Sequence, residues 1–421
     1  MTNAPFMLNV DCDMYVNNPQ IVLHALCLLL GVKSDKDCAF VQFPQHFYDG
    51  LKDDPYGSQW AVLHEGFKDP STEELDVSTG EKLSMVYHHM NMMKKLADGD
   101  LLALSWSHRI ILILLLKLQM GWIYGSTTED VLTGLTIHGR GWKSTSCTPT
   151  LPGFLGCAPS GGPATMTQHK RWATGLLEIL VTRRSPLILT LVGKLQFRQC
   201  LAYLWVLLWS LRSVPELCYA TLPAYCIISG SRFLPKVGEP ALLIPLAIFI
   251  TYNLYTLSEY FRAGLSARAW WNNQRIWRII TMTAWLFGVF NIILKLLGLS
   301  ETVFEVTQKE QSSTNGSNDD NADVGRFTFD ESPIFIPATT VLLVNLTALV
   351  IAILGFQFAA HGGDGSGIGE VIFSSCVVLC LWAFLKGLFG KGKYGIPLAT
   401  VYKSGALALL FLNLSRWTSM G

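Results

Sequence analysis

The chain has 421 residues, of which 50% are hydrophobic and only 15% are charged. A soluble globular protein carries about 25% charged residues, so this composition excludes a chain that is soluble or disordered throughout. The formal net charge of +1 gives no bulk attraction to nucleic acid, and no nucleic-acid partner is expected.

Cysteine usage and the amino terminus bear on the compartment. The ten cysteines form no Cys-x-x-Cys pair, which argues against a zinc or thioredoxin-type site. The first residues have neither a basic start nor a long apolar run, so no signal peptide is predicted. Residues 333–421 contain only seven Asp, Glu, Lys or Arg, whereas the first half has ordinary polarity. We therefore predict an α/β domain in the cytosol, followed by an α-helical transmembrane domain in a lipid bilayer.

Near the amino terminus, the apolar run 6–10 predicts a buried strand that ends at Asp11 and Asp13. In an extended chain, residues i and i+2 point the same way, so both carboxylates could hold a divalent metal against a diphosphate. A role in a turn or a helix cap is the alternative. Asn18-Pro19 then predicts the start of a helix over 20–30.

The second motif is Gly125-Ser-Thr-Thr-Glu129-Asp130, which precedes an amphipathic run. Hydroxyl residues followed three places on by an acid are typical of a capping box. Asp130 therefore either caps a helix or acts as a general base at a helix N-terminus, facing a sugar hydroxyl.

The third motif, Gln168-His-Lys-Arg171-Trp172, begins another predicted helix. A tryptophan face can support a sugar ring, and Gln and Arg can bind hydroxyl or phosphate groups. A basic-aromatic patch near a membrane can also be an anchor. We expect His169 to be solvated and give it no role.

Apolar runs predict five membrane spans, at about 201–228, 240–260, 335–358, 369–388 and 396–414. The first of them contains Arg212 and Glu216 at positions i and i+4, which could pair with each other.

The segment 265–297 is ambiguous, because its second half is apolar apart from Lys295 whereas 267–278 mixes three tryptophans with three arginines. That mixture suits a helix in the membrane interface. Five spans keep the first domain and the lysine-rich connector 386–393 both cytosolic, so we predict that 265–297 is interfacial. The acidic stretch after it carries a glycosylation sequon at Asn315, which is usable only in the lumen.

The order Asp-x-Asp, Thr-Glu-Asp, Gln-x-x-Arg-Trp and then several spans resembles the processive family 2 glycosyltransferases. Residues 304–309, Phe-Glu-Val-Thr-Gln-Lys, are similar to the FxVTxK gating loop of that family. Segments such as NVDCDMYVNNP, GWIYGSTTEDVLTGL and LKLLGLSETVFEVT are similar to plant cellulose synthase-like proteins of subfamily H, over residues 6–60 and 121–421.

The resemblance implies a GT-A-like domain that transfers glucosyl units with inversion from a UDP-sugar donor, UDP-glucose, to a growing (1,3;1,4)- or (1,4)-β-glucan acceptor of the cell wall. It implies that Asp11 and Asp13 bind Mg2+ or Mn2+ and the UDP diphosphate, and that Asp130 is the catalytic base. Substrate-binding roles are implied for Glu129, Gln168, Arg171, Trp172, Phe304, Val306, Thr307 and Lys309. It favours a multi-pass Golgi membrane protein, with the plasma membrane as the alternative, and leaves a homo-oligomer open.

The sequence also departs from the family pattern. It begins at the family's second Asp motif, and the residues after Trp60 and before Gly121 differ from those expected. We therefore expect the GT-A-like domain to be incomplete, and the alternative function is a truncated, catalytically inactive cellulose synthase-like membrane subunit. The predicted domains are a partial cytosolic glycosyltransferase domain (1–198), a first transmembrane helix pair (199–264), an interfacial helix and gating loop (265–309), an acidic linker (310–332) and C-terminal transmembrane helices (333–421).

Overall fold

The computed structural model describes residues 8–10, 14–30, 38–44, 46–57, 123–147, 149, 151–159, 161–235, 238–300, 325–359 and 367–420. Two compact units are found. The first comprises 1–50, 63–158 and 178–206, and the second comprises 51–62, 159–177 and 207–421. The predicted metal ligands Asp11 and Asp13 and the predicted gating loop 304–309 lie outside the described residues.

The described residues of the first unit form five short strands: β1 (Tyr15–Val16), β2 (Cys38–Gln42), β3 (His46–Phe47), β4 (Lys143–Ser146) and β5 (Phe154–Gly156). β5 lies between β1 and β3, antiparallel to β1 and parallel to β3, and β2 pairs in parallel with β4. Residues 8–10, the described part of the predicted strand 6–10, are not in a strand. Among the described residues, three helices lie wholly in this unit, Ile21–Leu30, Glu129–His138 and Pro186–Leu191, and the helix Phe197–Leu207 belongs to it as far as Val206. The α/β class of this unit is confirmed.

The first helix starts where the sequence predicts. The Asn18 side-chain oxygen accepts a hydrogen bond from the Gln20 backbone N–H at 2.9 Å, which satisfies a donor at the helix N-terminus. The backbone N–H groups of Asn17 and Asn18 both donate to the carbonyl of Gly153. A Cβ at Gly153 would lie 2.8 Å from Cγ1 of the buried Ile21, so a side chain there would displace the first turn.

The second unit is helical where the structure describes it, and four of the described helices are long and apolar enough to cross a membrane: Pro240–Arg262, Ala267–Leu296, Pro333–Gly355 and Gly392–Ser419. A further pair, Ile368–Cys380 and Trp382–Leu388, is bent by 73° and would be a fifth if it is one broken span. An α-helical membrane domain in the C-terminal part is therefore confirmed.

The predicted first span, 201–228, is not one helix. The chain forms a helix over Phe197–Leu207, a short 3-10 turn over Trp209–Arg212 and a second helix over Ser213–Ser229. Pro215 stands in the first turn of that second helix, where its ring would clash with the carbonyl four residues earlier if the helix continued backwards.

Glu216 does not form the predicted pair with Arg212. Its carboxylate accepts a hydrogen bond from Nη1 of Arg278 at 2.7 Å, while the Arg212 guanidinium lies 5.9 Å from the ring centre of Trp285. Both new partners come from the Ala267–Leu296 helix, which the i, i+4 spacing within one helix cannot reveal.

Four helices form what we call the bundle: Ser213–Ser229, Ile336–Ala359, Ile368–Cys380 and Leu398–Met420. At one end, the Ser404 hydroxyl donates to the Ile336 carbonyl at 3.2 Å. In the middle, the buried Asn345 amide donates to the Ala220 carbonyl at 2.9 Å and accepts from the Ser374 hydroxyl at 2.7 Å. These buried bonds fix the register of the helices, because an unmatched amide would be costly to bury.

The opposite end of the bundle is marked by a 3.3 Å contact between the hydroxyls of Tyr225 and Thr418. We name the end that contains Ser213 and Ile336 the first end of the bundle. Ser213–Ser229, Ile336–Ala359 and Leu398–Met420 run away from the first end, and Ile368–Cys380 runs back toward it.

The helix Ala267–Leu296, here called the cross helix, packs against the first end of the bundle. Its Arg278 reaches Glu216 near the start of Ser213–Ser229. Its buried residues 276–285 share one hydrophobic cluster with Phe335, Leu342 and Phe384, which belong to the same end. Its N-terminus is capped by Ser266, whose hydroxyl accepts from the Ala269 N–H at 3.0 Å.

Candidate active site

Asp130 lies in the first turn of the helix Glu129–His138 and is exposed to solvent. Leu132 and Leu135 are buried on the opposite side, because residues two and five places on are turned by about 200° and 140° around the helix. Acidic residues in the first turn interact favourably with the helix dipole. The helix therefore presents the Asp130 carboxylate on its accessible face.

The turn that precedes this helix contains the hydroxyl residues of the predicted capping box. Thr128 is the N-cap residue, but its side chain makes no capping hydrogen bond. Its backbone N–H instead donates to the Ser126 hydroxyl at 3.3 Å, and the two hydroxyls lie 3.3 Å apart. Hydroxyl groups thus stabilise the turn before the helix.

The other end of this helix is held by His138. Its imidazole nitrogens lie 2.8 Å from the Tyr203 hydroxyl and 3.1 Å from the Ser144 hydroxyl, and its ring stacks on Phe40. Burial lowers the pKa of His138 below its ordinary value. The neutral ring can accept one hydrogen bond and donate the other, so it fastens the helix to β2 and β4.

Gln168, Arg171 and Trp172 lie on the helix Gly162–Val181, here called the motif helix, and all three are half-buried. Their spacing of three and four residues places them side by side on one helical face. The structure therefore brings these three predicted site residues together within the second unit.

The start of the motif helix is closely packed. The Gly162 N–H donates to the Thr328 hydroxyl at 3.1 Å, and a Cβ at Gly162 would lie 2.6 Å from Cε1 of Phe327. The adjacent Arg326 carbonyl accepts from the Tyr56 hydroxyl at 2.8 Å. The segment that follows residues 301–324 is thereby anchored to the motif helix.

His169, predicted to be solvated, is buried with only 3% of its surface exposed. Its ring meets Trp172 at 5.0 Å and Trp277 of the cross helix at 5.4 Å, with both pairs nearly perpendicular. Burial lowers the pKa of His169 to about 3, so its imidazole is neutral at physiological pH. The prediction was wrong because Trp277 of the cross helix, which is distant in the sequence, packs over His169.

A carboxylate that the sequence reading missed lies beside β3. Asp49 accepts hydrogen bonds from the Ala158 N–H at 2.8 Å and from the buried Cys157 thiol at 2.9 Å. The Tyr48 N–H also donates to the Gly156 carbonyl at 3.2 Å. These bonds fix the loop after β5, which leads into the motif helix; no sequence motif marks Asp49.

The remaining predicted site residues are Asp11 and Asp13 and, in the gating loop, Phe304, Val306, Thr307 and Lys309, all outside the described residues. Among the residues that are described, no group of three or more His, Cys, Asp or Glu could hold a metal ion. The oxygen ligands of an Asp-x-Asp pair suit Mg2+ or Mn2+, so the predicted metal site remains a prediction from donor chemistry.

Comparison with known proteins shows extended similarity. The chain is 43% identical over 460 aligned positions to Cellulose synthase-like protein H1 of Oryza sativa subsp. japonica, covering 98% of this chain and 61% of the relative. It is 42% identical over 468 positions to Cellulose synthase-like protein H2 of Oryza sativa subsp. indica, covering 98% and 61%. It is 41% identical over 483 positions to Cellulose synthase-like protein B4 of Arabidopsis thaliana, covering 99% and 62%.

This chain thus spans 61–62% of the length of these three relatives. The alignments are longer than the 421 residues of the chain, so parts of the relatives inside the aligned range have no counterpart here. The family model described as Cellulose synthase matches residues 1–78 and 117–419. Because this match covers most of the chain and includes all the motif residues described above, the chain belongs to the cellulose synthase family.

Proposed function

We propose that this chain is a membrane-bound processive β-glycan synthase of cell-wall biosynthesis. It would transfer glucosyl units with inversion from UDP-glucose to a growing (1,3;1,4)- or (1,4)-β-glucan. Family membership, the order of the motifs and the membrane-competent helices support the proposal. The observation that carries it is the Asp130 carboxylate, exposed on the first turn of Glu129–His138 and opposite the buried face of that helix.

In this reaction Asp130 takes the proton from the 4- or 3-hydroxyl of the acceptor sugar. The hydroxyl oxygen then attacks C1 of the α-linked glucose from the opposite face, and the bond from C1 to the UDP oxygen breaks. The product is a β-linkage, and the electron pair leaves with UDP. An aspartate is suited to this step because its ionised form accepts a proton without prior activation.

The binding roles follow the family motifs. Trp172 stacks against the acceptor sugar, and Arg171 and Gln168 supply donors to hydroxyl or phosphate oxygens. Glu129, beside Asp130, binds substrate at the same helix terminus. A divalent ion held by Asp11 and Asp13 would supply positive charge for the departing diphosphate.

Four residues of the gating loop, Phe304, Val306, Thr307 and Lys309, would close over the donor. In that position the Lys309 ammonium would offset diphosphate charge. The loop follows the cross helix in the chain, so this role requires the end of that helix to lie on the cytosolic side.

We also propose that the cross helix lies at the cytosolic membrane interface, although its length and composition would allow it to span. Its residues 276–285 pack against the first end of the bundle. It also runs beside the motif helix: Thr283 donates to the Met166 sulfur at 3.1 Å, and the Asn291 amide donates to the Thr174 hydroxyl at 3.3 Å. A Cβ at Gly288 would lie 2.5 Å from Cβ of Ala173, so the two helices approach closely.

The stretch from 276 to 291 is about 22 Å long at 1.5 Å per residue. Along that length the cross helix contacts either the first end of the bundle or the motif helix, which carries a catalytic motif that acts in the cytosol. Five spans, with the bent pair counted as one and Ser213–Ser229 as another, then keep the catalytic domain and the lysine-rich connector on one side. We propose the Golgi membrane as the location, with the plasma membrane as the alternative.

The test is Asp130→Asn in the 421-residue chain expressed in plant microsomes, with incorporation of radiolabelled UDP-glucose into β-glucanase-sensitive polymer as the readout. The amide keeps the shape but cannot take the proton, so synthesis should fall about 10²–10⁴-fold while UDP binding is kept. The matched control is Glu239→Gln, an exposed carboxylate outside every motif, which should leave synthesis unchanged. Full synthesis by Asp130→Asn would refute the assignment of the base.

A non-catalytic membrane subunit is the second candidate. It is favoured by the interruption of the family match between 78 and 117 and by the segments of the relatives that have no counterpart here. It predicts that the unsubstituted chain and Asp130→Asn both lack synthesis and UDP binding, whereas the synthase proposal requires the unsubstituted chain to have both.

A further inference from the structure

The acceptor platform proposed above rests on a buried histidine. The Trp172 ring is half-buried, whereas His169, three residues before it, is almost completely enclosed. The two ring centres lie 5.0 Å apart at 81°, and the other neighbour of His169 is Trp277, at 5.4 Å and 75°. His169 is therefore an aromatic wedge between the indole of the proposed platform and the cross helix.

The aromatic contacts that begin at His169 continue from Trp277 into the hydrophobic core. Trp277 lies 5.7 Å from Trp285, and Trp285 stacks on Trp209 at 6.1 Å and 19°. The cross helix forms a π-helical turn over Thr281–Trp285, which begins four residues after Trp277 and includes Trp285. Such turns are uncommon and often occur at functional sites.

We propose that His169 is a positioning residue that lies between Trp172 and Trp277 of the cross helix and so sets the position of the acceptor platform. The proposal rests on the proposed function, because it assumes that Trp172 stacks on the glucan.

Two observations argue for positioning rather than simple filling of the core. A buried imidazole must be desolvated, so a leucine would fill the same volume at lower cost. The rings also meet nearly at right angles, an arrangement that fixes orientation more closely than aliphatic packing does. The contact supports one side of Trp172 while the indole stays half-exposed.

The experiment measures cellohexaose binding and UDP binding separately, using the 421-residue chain in lipid nanodiscs. His169→Ala removes both ring contacts and should weaken cellohexaose binding about tenfold, because the orientation of Trp172 then loses its aromatic support. UDP affinity should stay within about twofold. His169→Phe keeps the ring edges and should restore most of the cellohexaose affinity.

Two further variants separate positioning from general loss of structure. Asn291→Ala removes a different contact between the same two helices and should leave cellohexaose binding unchanged. In a Trp172→Ala background, His169→Ala should have no additional effect on cellohexaose binding, because the group through which it acts is gone.

The outcomes are decisive in each case. Equal loss of UDP and cellohexaose binding in His169→Ala, or no loss of either, overturns the inference. So does an additive effect in the Trp172→Ala background. A chain that binds UDP but not cellohexaose overturns the acceptor role of Trp172 and this inference while sparing the donor site. A chain that binds neither overturns the proposed function itself, and the inference with it.

Discussion

Acid should destabilise this protein through His169, and His169→Phe should reduce that sensitivity. Burial lowers the pKa of His169 from its ordinary value of 6.5 to about 3. As the pH falls below 6.5, the unfolded chain takes up a proton at this position and the folded chain does not. The stabilising contribution is therefore complete above pH 6.5 and is lost progressively toward pH 3.

The magnitude follows from the pKa difference. Each pH unit between the two pKa values costs about 1.36 kcal/mol, so acidification from pH 6.5 to pH 5.0 should lower the free energy of unfolding by about 2 kcal/mol. For a domain of 150–250 residues, 1 kcal/mol corresponds to about 2–4 °C in Tm, which gives an expected shift of about 4–8 °C. His169 is almost fully enclosed, so solvent screening does not reduce this value appreciably.

The assay is thermal unfolding followed by tryptophan fluorescence, in nanodiscs at pH 7.5 and pH 5.0. The unsubstituted chain should lose Tm at the lower pH, and His169→Phe should lose several degrees less. The control is His24→Phe, at a histidine that is only partly buried, which should keep most of the acid sensitivity. An equal loss of Tm in the unsubstituted chain and in His169→Phe would refute the argument from burial.

Three other outcomes are expected. Asp130→Asn should abolish polymer synthesis and retain UDP binding, as a base substitution requires; joint loss of both would assign Asp130 to donor binding instead. The proposed interfacial placement of the cross helix predicts that Asn315 stays unglycosylated in microsomes, and a glycosidase-sensitive mass shift that disappears in Asn315→Gln would place the loop in the lumen. Gly162→Ala should destabilise the chain by about 1–3 kcal/mol, since its Cβ would meet Phe327, whereas Gly405→Ala, with open space around it, should be neutral or stabilising in thermal unfolding.

Several features were determined by the sequence alone. The start of the first helix could be read from Asn18-Pro19, because capping depends on a few adjacent residues. The apolar runs at 240–260, 335–358 and 396–414 predicted three of the membrane-competent helices in the described residues, because the thickness of the bilayer sets their length. The order of three short motifs indicated the family that the family match shows.

Only the tertiary structure decided which partner each polar or aromatic group meets. The i, i+4 spacing predicted an ion pair between Glu216 and Arg212. The partner of Glu216 is instead Arg278, which lies 62 residues further along the chain. Local sequence suggested a solvated His169, but Trp277 of that same helix covers it. Composition allowed the cross helix to span the membrane, and its packing against the first end of the bundle and along the motif helix is visible only in the tertiary structure. Burial depends on segments far apart in the chain, and periodicity within one segment carries no information about which of them will meet.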